Sequence, residues 1–201
     1  MQIVNFIPET YQEFENHLSL VLFCYGCNLS CSWCYNREFV TNPNNILPKT
    51  AEQIIDENVN PLLDGLVFLG GEPLLYPDRL EELAKYVQSR HGLETKVYTN
   101  GFNWITTLRG LREGWLNAAS IDFKCFDDCS CLGVDAYDYT KSLRILLDLV
   151  NHFNLNDKVE VRTTMHKNLT MDDLKNIERL CYYFNLKHIK QQEFNYGTLF
   201  S

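Results

Sequence analysis

Four cysteines stand within eleven consecutive residues near the start of the chain: Cys24, Cys27, Cys31 and Cys34. The last three form a C-x3-C-x2-C pattern, with an aromatic residue directly before the final cysteine. This spacing lets one loop present three thiolates to three corners of a compact cluster. Iron–sulfur cubanes contain four irons, which four thiolates usually hold. Three thiolates therefore leave one iron open to another ligand.

An open iron of this kind can bind the amino and carboxylate groups of S-adenosylmethionine (SAM). Electron transfer from the cluster into the sulfonium then breaks a carbon–sulfur bond and yields a 5′-deoxyadenosyl radical. A structural zinc site made of all four cysteines is the alternative interpretation. Zinc ligands usually come from two separated hairpins, with a longer spacer than the three residues between Cys27 and Cys31. The spacing therefore favours the cluster.

A second motif, Gly70-Gly71-Glu72-Pro73, follows a short apolar run. Two glycines let a backbone approach a ligand closely, and a carboxylate can pair with an ammonium group; an ordinary turn is the alternative. Together with the cysteines and Trp33, the motif resembles the radical SAM superfamily, which carries C-x3-C-x-aromatic-C after the first strand of a partial (βα)6 barrel. The resemblance implies that the last three cysteines bind a [4Fe–4S] cluster. It also implies that Trp33 and the GGEP element contact SAM, whose amino group the glutamate and backbone groups hold.

Within this superfamily, the chain resembles the activating enzymes of glycyl radical enzymes, in particular those of anaerobic ribonucleoside-triphosphate reductase. The matching segments are Cys34-Tyr35-Asn36, Tyr98-Thr99-Asn100-Gly101, Ile121-Asp122-Phe123-Lys124, Val161-Arg162-Thr163-Thr164 and, approximately, Lys190-Gln191-Gln192-Glu193-Phe194. These matches imply that further side chains bind SAM, namely Thr99, Asn100, Asp122, Lys124, Arg162 and Gln191.

Physical arguments, apart from the resemblance, also bear on several of these residues as candidates for ligand binding. Asp122 and Lys124 should point to the same side of their strand, where one can accept a hydrogen bond from SAM and the other can neutralise its carboxylate; an exposed ion pair is the alternative. Arg162 stands in an apolar strand and is costly to bury without an anion or acceptor. Gln191 is equally well explained as an ordinary polar strand residue. Tyr98 replaces an aspartate implicated in holding an alkali cation in related activases, so we do not expect such a cation to bind in the same way.

A cysteine-rich loop over residues 124–134 falls outside the family pattern. Cys125, Cys129 and Cys131 could ligate a second cluster or a zinc ion, but they supply only three thiolates. Free thiols or a flexible contact loop are the favoured interpretations. Cys181 is predicted to lie in the core. Three histidines show no metal-ligand spacing and receive no predicted role: His152, His166 and His188.

Short apolar runs alternate with amphipathic segments along the chain, and this alternation positions the motifs. The apolar runs predict six parallel strands: Leu18–Phe23, Leu66–Leu69, Lys96–Thr99, Ala119–Phe123, Val159–Thr164 and His188–Phe194. The amphipathic segments predict helical crossovers: Thr50–Leu63 with Thr50 as N-cap, Pro77–Gly92, Asn103–Gly114, Ala136–Phe153 and Thr170–Phe184. We therefore expect an α/β fold, a partial (βα)6 TIM-like barrel with its site at the carboxyl ends of the strands. Cys24 is expected to face the barrel interior as a small apolar side chain.

Composition restricts the possible settings. With 201 residues, of which 45% are hydrophobic and 22% charged, the chain is expected to form a single domain over residues 1–201. A formal net charge of −8 argues against an extended nucleic-acid surface. No apolar run reaches the roughly 18 residues of a membrane-spanning helix. With no secretory signal, a reducing cytoplasmic setting is expected, without nucleic-acid or membrane partners.

The leading hypothesis is a radical SAM activase. Its cluster would be reduced by a flavodoxin or ferredoxin, and the adenosyl radical would abstract hydrogen from a glycine of a large partner, most specifically an anaerobic ribonucleotide reductase. One alternative is a small-molecule enzyme such as 7-carboxy-7-deazaguanine synthase, which typically has Asp-Thr where Tyr35-Asn36 stands here. A zinc-stabilised interaction module is the other alternative.

Overall fold

The structure is a computed structural model that describes residues 1 to 192. Seven strands form one sheet in the order β1 to β7, in which β2 to β7 run parallel and β1 pairs antiparallel with β2. The strands are β1 (Ile3–Thr10), β2 (Ser19–Cys24), β3 (Gly65–Gly70), β4 (Glu94–Thr99), β5 (Ala118–Asp122), β6 (Val159–Met165) and β7 (Lys187–Gln192). The helices are α1 (Arg37–Thr41), α2 (Ala51–Asn58), α3 (Pro77–His91), α4 (Trp104–Glu113), α5 (Ala136–His152) and α6 (Met171–Tyr183).

The six predicted parallel strands are confirmed as β2 to β7, and the α/β fold is the expected partial barrel. Residues 193 and 194, the end of the last predicted strand, lie outside the described residues. Thr50 caps α2 as expected, since its side chain accepts from the backbone N–H of Gln53. The predicted end of this helix is wrong: it stops at Asn58, because Val59 is already extended and Pro61 follows closely. Over the described range, no helix has the length and apolar character needed to cross a membrane.

Strand β1 is absent from the sequence-based prediction. It lies at the edge of the sheet, and only its first two residues, Ile3 and Val4, are buried. Pro8 lies within it, and proline in a sheet is confined to edges, strand starts and bulges. The strand therefore has neither the continuous apolar run of a central strand nor a clear alternation.

The two faces of the sheet pack differently. On β2, Leu22 and Cys24 belong to the main core between the sheet and the helices, whereas Val21 and Phe23 face the barrel interior. Cys24 is fully buried and behaves as a small apolar side chain, but the expectation that it faces the barrel interior is wrong. Side chains alternate along a strand, so Cys24 shares the helix-facing side with Leu22. Cys181 lies in the core, as predicted.

Candidate functional site

The carboxyl ends of the parallel strands surround a cavity of about 400 Å³. Thirteen of the fourteen predicted site residues line it: Cys27, Cys31, Trp33, Cys34, Gly70, Gly71, Glu72, Thr99, Asn100, Asp122, Lys124, Arg162 and Gln191. Pro73 is the exception, because it lies buried in the short 3-10 turn that follows Glu72. The structure therefore brings the predicted residues together, and their roles as ligands stay predictions.

The segment that carries Cys27, Cys31 and Cys34, called the cysteine loop below, follows β2 and forms one wall of the cavity. Cys27, Cys31 and Cys34 are all free thiols, and exposure increases from the buried Cys31 to the exposed Cys34. The backbone N–H of Leu29 donates to Cys27 Sγ at 3.4 Å, and that of Cys34 donates to the carbonyl of Cys31 at 3.1 Å. Burial raises the pKa of Cys27, and it raises the pKa of Cys31 to about 11. Metal binding at these positions must therefore displace protons, because the thiolate is the ligand.

These three thiols fit a cluster better than a single ion. Within residues 1–192, no three His, Cys, Asp or Glu side chains are grouped closely enough to hold one metal ion. A cubane does not require such a group, because each thiolate binds a different iron. Cys24, the fourth cysteine of the zinc interpretation, is buried on the other face of β2, away from the cavity. The donor set at the cavity is thus three free thiols, which suits a cluster with one open iron.

Gly70 and Gly71 allow the end of β3 to lie directly against the start of the cysteine loop. Gly70 has φ +112°, and a Cβ at Gly71 would stand 1.8 Å from the carbonyl oxygen of Gly26. The backbone N–H of Glu72 donates to that same carbonyl at 2.8 Å. A side chain on Gly71 would push the two segments apart. The glycine pair is therefore required by packing within the chain, in addition to any close approach of a ligand.

Glu72 joins the ends of β3 and β4. Its carboxylate accepts from Thr99 Oγ1 at 2.7 Å, from the backbone N–H of Asn100 at 2.8 Å and from that of Leu74 at 3.1 Å. The Asn100 side chain donates in turn to Asn28 Oδ1 at 2.8 Å, which ties β4 to the cysteine loop. The side chain of Glu72 is buried, and burial raises its pKa to about 7 despite the three hydrogen bonds. This carboxylate therefore already organises the site before any ligand binds.

Asp122 and Lys124 form an ion pair at the end of β5, with 2.8 Å between Lys124 Nζ and Asp122 Oδ2. Phe123 between them is fully buried on the other side, as the strand alternation predicts. Burial alone would lower the pKa of Lys124, but the Asp122 carboxylate holds it above its usual value. The pair thus presents a fixed cation and a fixed anion to the cavity, the complement of a zwitterionic ligand.

Arg162 lies opposite Asp122 in the register of β5 and β6. Its guanidinium stacks over the ring of Tyr98 at 4.6 Å, and its nearest carboxylate, Glu13, is 3.8 Å away. Its Nε is buried, and no atom of residues 1–192 accepts a hydrogen bond from it. A buried donor without an acceptor is costly. This orphaned donor on the cavity wall fits a site that binds a polar or anionic ligand.

Two features of the site were not predicted from the sequence. Cys125 and Cys129 form a disulfide, with Cα atoms 5.5 Å apart, so the interpretation of the cysteine-rich loop as free thiols is wrong for these two and holds only for Cys131. The same pairing removes the three-thiolate site considered for this loop. The loop also contacts the cysteine loop directly, since Ser32 N–H donates to the Cys131 carbonyl at 3.0 Å. The second feature is His166, which stacks on Trp33.

The chain belongs to the radical SAM superfamily, because residues 21–181 match the family profile described as Radical SAM superfamily. Enzymes of this superfamily use a [4Fe–4S] cluster and SAM. A solved structure described as native anSMEcpe with bound AdoMet has a TM-score of 0.58 at 14% identity. The match covers 86% of this chain and 50% of that one, so this chain spans about half its length and shares the fold.

Curated relatives give a finer comparison. A protein of Methanocaldococcus jannaschii named as a glycyl-radical enzyme activating enzyme is 27% identical over 186 residues, which are 90% of this chain and 75% of that protein. The pyruvate formate-lyase-activating enzyme of Clostridium pasteurianum is 27% identical over 186 residues, 86% of this chain and 72% of the enzyme. A 7-carboxy-7-deazaguanine synthase of M. jannaschii is 26% identical over 174 residues, 77% of this chain and 66% of that enzyme.

Proposed function

We propose that this protein is a radical SAM activase that generates a glycyl radical on a partner enzyme. The observation that carries the proposal is the similarity of most of the chain to two proteins named as activating enzymes. The cavity also supports it: Cys34 and Tyr35 at its wall are exposed, Tyr35 by 59%. An open mouth suits a substrate that is a loop of another protein.

The residues of the cavity have different roles in this proposal. Cys27, Cys31 and Cys34 would hold the cluster, and Lys124 and Arg162 would bind the carboxylate of SAM. The chemistry that the bound, reduced cluster supplies is one-electron cleavage of a carbon–sulfur bond of SAM, which gives a 5′-deoxyadenosyl radical. The further binding groups would be those of the β3, β4, β5 and β7 ends, namely Gly70, Gly71, Glu72, Thr99, Asn100, Asp122 and Gln191. Trp33 would form a wall of the same cavity.

The most specific form of the proposal takes an anaerobic ribonucleotide reductase as the partner and a flavodoxin or ferredoxin as the electron donor. The Cys34-Tyr35-Asn36 segment supports this choice of partner. We expect an anaerobic mixture of protein, SAM, reductant and reductase to give a glycyl radical doublet in the EPR spectrum. The same experiment with dithionite in place of the protein donor distinguishes two causes of failure. A doublet that appears only with dithionite would mean that the donor is wrong, and no doublet with either reductant would count against the partner. A Cys34→Ser variant is the matched control and should give no doublet.

Two similarities favour the small-molecule alternative, and one is the match of the M. jannaschii 7-carboxy-7-deazaguanine synthase to 77% of this chain. A 7-carboxy-7-deazaguanine synthase of Methanothermobacter thermautotrophicus is 39% identical over 72 residues, although these make up only 35% of this chain. Turnover of carboxytetrahydropterin by the reconstituted protein, without any partner, would decide for this activity. Membership of the radical SAM superfamily does not support the alternative of a zinc-stabilised interaction module. Anaerobically prepared protein that contains zinc and no iron would favour that module over both radical SAM activities.

A further inference from the structure

His166 lies directly after β6 and is 4% exposed. Its ring stacks on the indole of Trp33, with centroids 3.3 Å apart and planes 9° from parallel. Its Nε2 lies 2.9 Å from the carbonyl oxygen of Lys124, and its Nδ1 lies 3.2 Å from the backbone nitrogen of Asn168. Because a carbonyl only accepts and a backbone N–H only donates, Nε2 carries the proton and Nδ1 accepts. The imidazole is thus held by both of its nitrogens and by one face.

Trp33 connects this histidine to the cysteine loop. It stands one residue before Cys34 and lines the cavity. The preceding residue, Ser32, is tied through its backbone N–H to the carbonyl of Cys131. The indole therefore makes a side-chain contact between this part of the cysteine loop and the residue that follows β6. A change in the position of the indole would move Cys34 relative to Lys124.

We propose that His166 is a positioning residue for the cysteine loop: it fixes Trp33, and through Trp33 the segment that carries Cys34, in one place relative to Lys124. It acts through Trp33, and its hydrogen bonds to the Lys124 carbonyl and the Asn168 backbone nitrogen do not involve Cys27, Cys31 or Cys34. Groups that orient metal ligands from outside the first coordination sphere typically change affinity or activity about 10–100-fold when replaced. The inference rests on membership of the radical SAM superfamily and is independent of the partner. SAM cleavage without any partner therefore tests it separately from the proposed function.

Two replacements separate the stacking from the hydrogen bonds. His166→Leu removes the ring and both hydrogen bonds, and we expect it to lower the rate of SAM cleavage at saturating SAM about 10-fold. His166→Phe keeps an aromatic face on Trp33 and should recover part of this rate. The EPR spectrum of the reduced cluster with SAM should change in the leucine variant and resemble wild type in the phenylalanine variant. His152→Leu is the matched control, because His152 is exposed at the end of α5, does not line the cavity and has its ring contact with Phe153.

A measurement on the cluster-free protein gives a readout that does not depend on activity. The tryptophan fluorescence emission of the protein should change in His166→Leu, because Trp33 loses its stacked ring, and should stay unchanged in His152→Leu. A Trp33→Phe background should abolish the change, which assigns it to this tryptophan. Wild-type emission and wild-type cleavage in His166→Leu would overturn the inference.

A double-mutant cycle tests whether His166 acts through Trp33. Once Trp33 is replaced by leucine, His166→Leu should cause no further loss of cleavage rate. A second loss of the same size would overturn the inference, because independent sites give additive effects. If His166→Leu fails to fold by far-UV circular dichroism, His166→Phe carries the test. Trp33 emission that keeps its wild-type form in this variant supports the stacking role, and emission like that of unfolded protein overturns it.

Discussion

Glu72 offers the sharpest test of how the site is organised. Burial raises the pKa of its carboxyl to about 7, from an ordinary value of 4.5. Between these two values the folded protein retains a proton that the unfolded chain has lost, so this group's contribution to stability falls as the pH rises. At about 1.4 kcal/mol per pH unit, the difference amounts to about 3 kcal/mol. The contribution is fully present below pH 4.5 and is lost by about pH 7.

Glu72→Gln keeps the shape of the side chain and removes the titration. Glutamine cannot accept from both Thr99 and Asn100 with its two terminal atoms, which costs about 1–3 kcal/mol for the donor left without an acceptor. This cost does not depend on pH. The wild-type free energy of unfolding minus that of the variant should therefore fall by about 3 kcal/mol as the pH rises from about 4.5 to above 7.

Urea unfolding of the cluster-free protein, followed by far-UV circular dichroism at several pH values, measures this difference. The control is Glu38→Gln, the same replacement at an exposed glutamate, measured in parallel. A difference between wild type and Glu72→Gln that stays constant from pH 4.5 upward would refute the reasoning. It would mean that the three hydrogen bonds, and not burial, dominate the ionisation of Glu72.

Three further changes test the packing and the ligands. Cys34→Ser should abolish the formation of 5′-deoxyadenosine from SAM, measured by chromatography after anaerobic reconstitution, because one iron loses its thiolate. Gly71→Ala places a Cβ 1.8 Å from the Gly26 carbonyl oxygen; overpacking should destabilise the fold by about 1–3 kcal/mol, visible as a lower Tm. Cys125→Ser opens a disulfide of sequence separation 4; this should cost about 2 kcal/mol in urea unfolding, and Cys129→Ser should cost the same.

The sequence predicts the parallel sheet because its central strands, buried on both faces, appear as continuous apolar runs. It predicts the site because parallel strands bring their carboxyl ends together. The same pattern does not predict edge strand β1, since this strand buries only Ile3 and Val4 and contains Pro8. Contacts between distant segments cannot be predicted from residue spacing either. The stacking of His166 on Trp33, 133 positions away along the chain, is one example.

The electrostatics of the site show the same division between local and long-range information. Strand alternation is local, so the pairing of Asp122 with Lys124 follows from their spacing. The surroundings of Arg162 depend on the segment that follows β1, through Glu13, and on β4, through Tyr98, as well as on its own strand. Sequence alone therefore indicates that Arg162 needs an acceptor, and the three-dimensional structure shows that its Nε still has none among residues 1–192.

The transfer of hydrogen from a partner glycine to the 5′-deoxyadenosyl radical derived from SAM tests the central claim most directly. The reconstituted protein would be mixed anaerobically with SAM, reductant and an anaerobic ribonucleotide reductase whose glycines carry deuterium at Cα. The proposed activase should produce 5′-deoxyadenosine that contains deuterium, together with a glycyl radical EPR signal. Rapid cleavage of SAM that yields 5′-deoxyadenosine without deuterium would contradict the claim, because the radical would then act on another substrate.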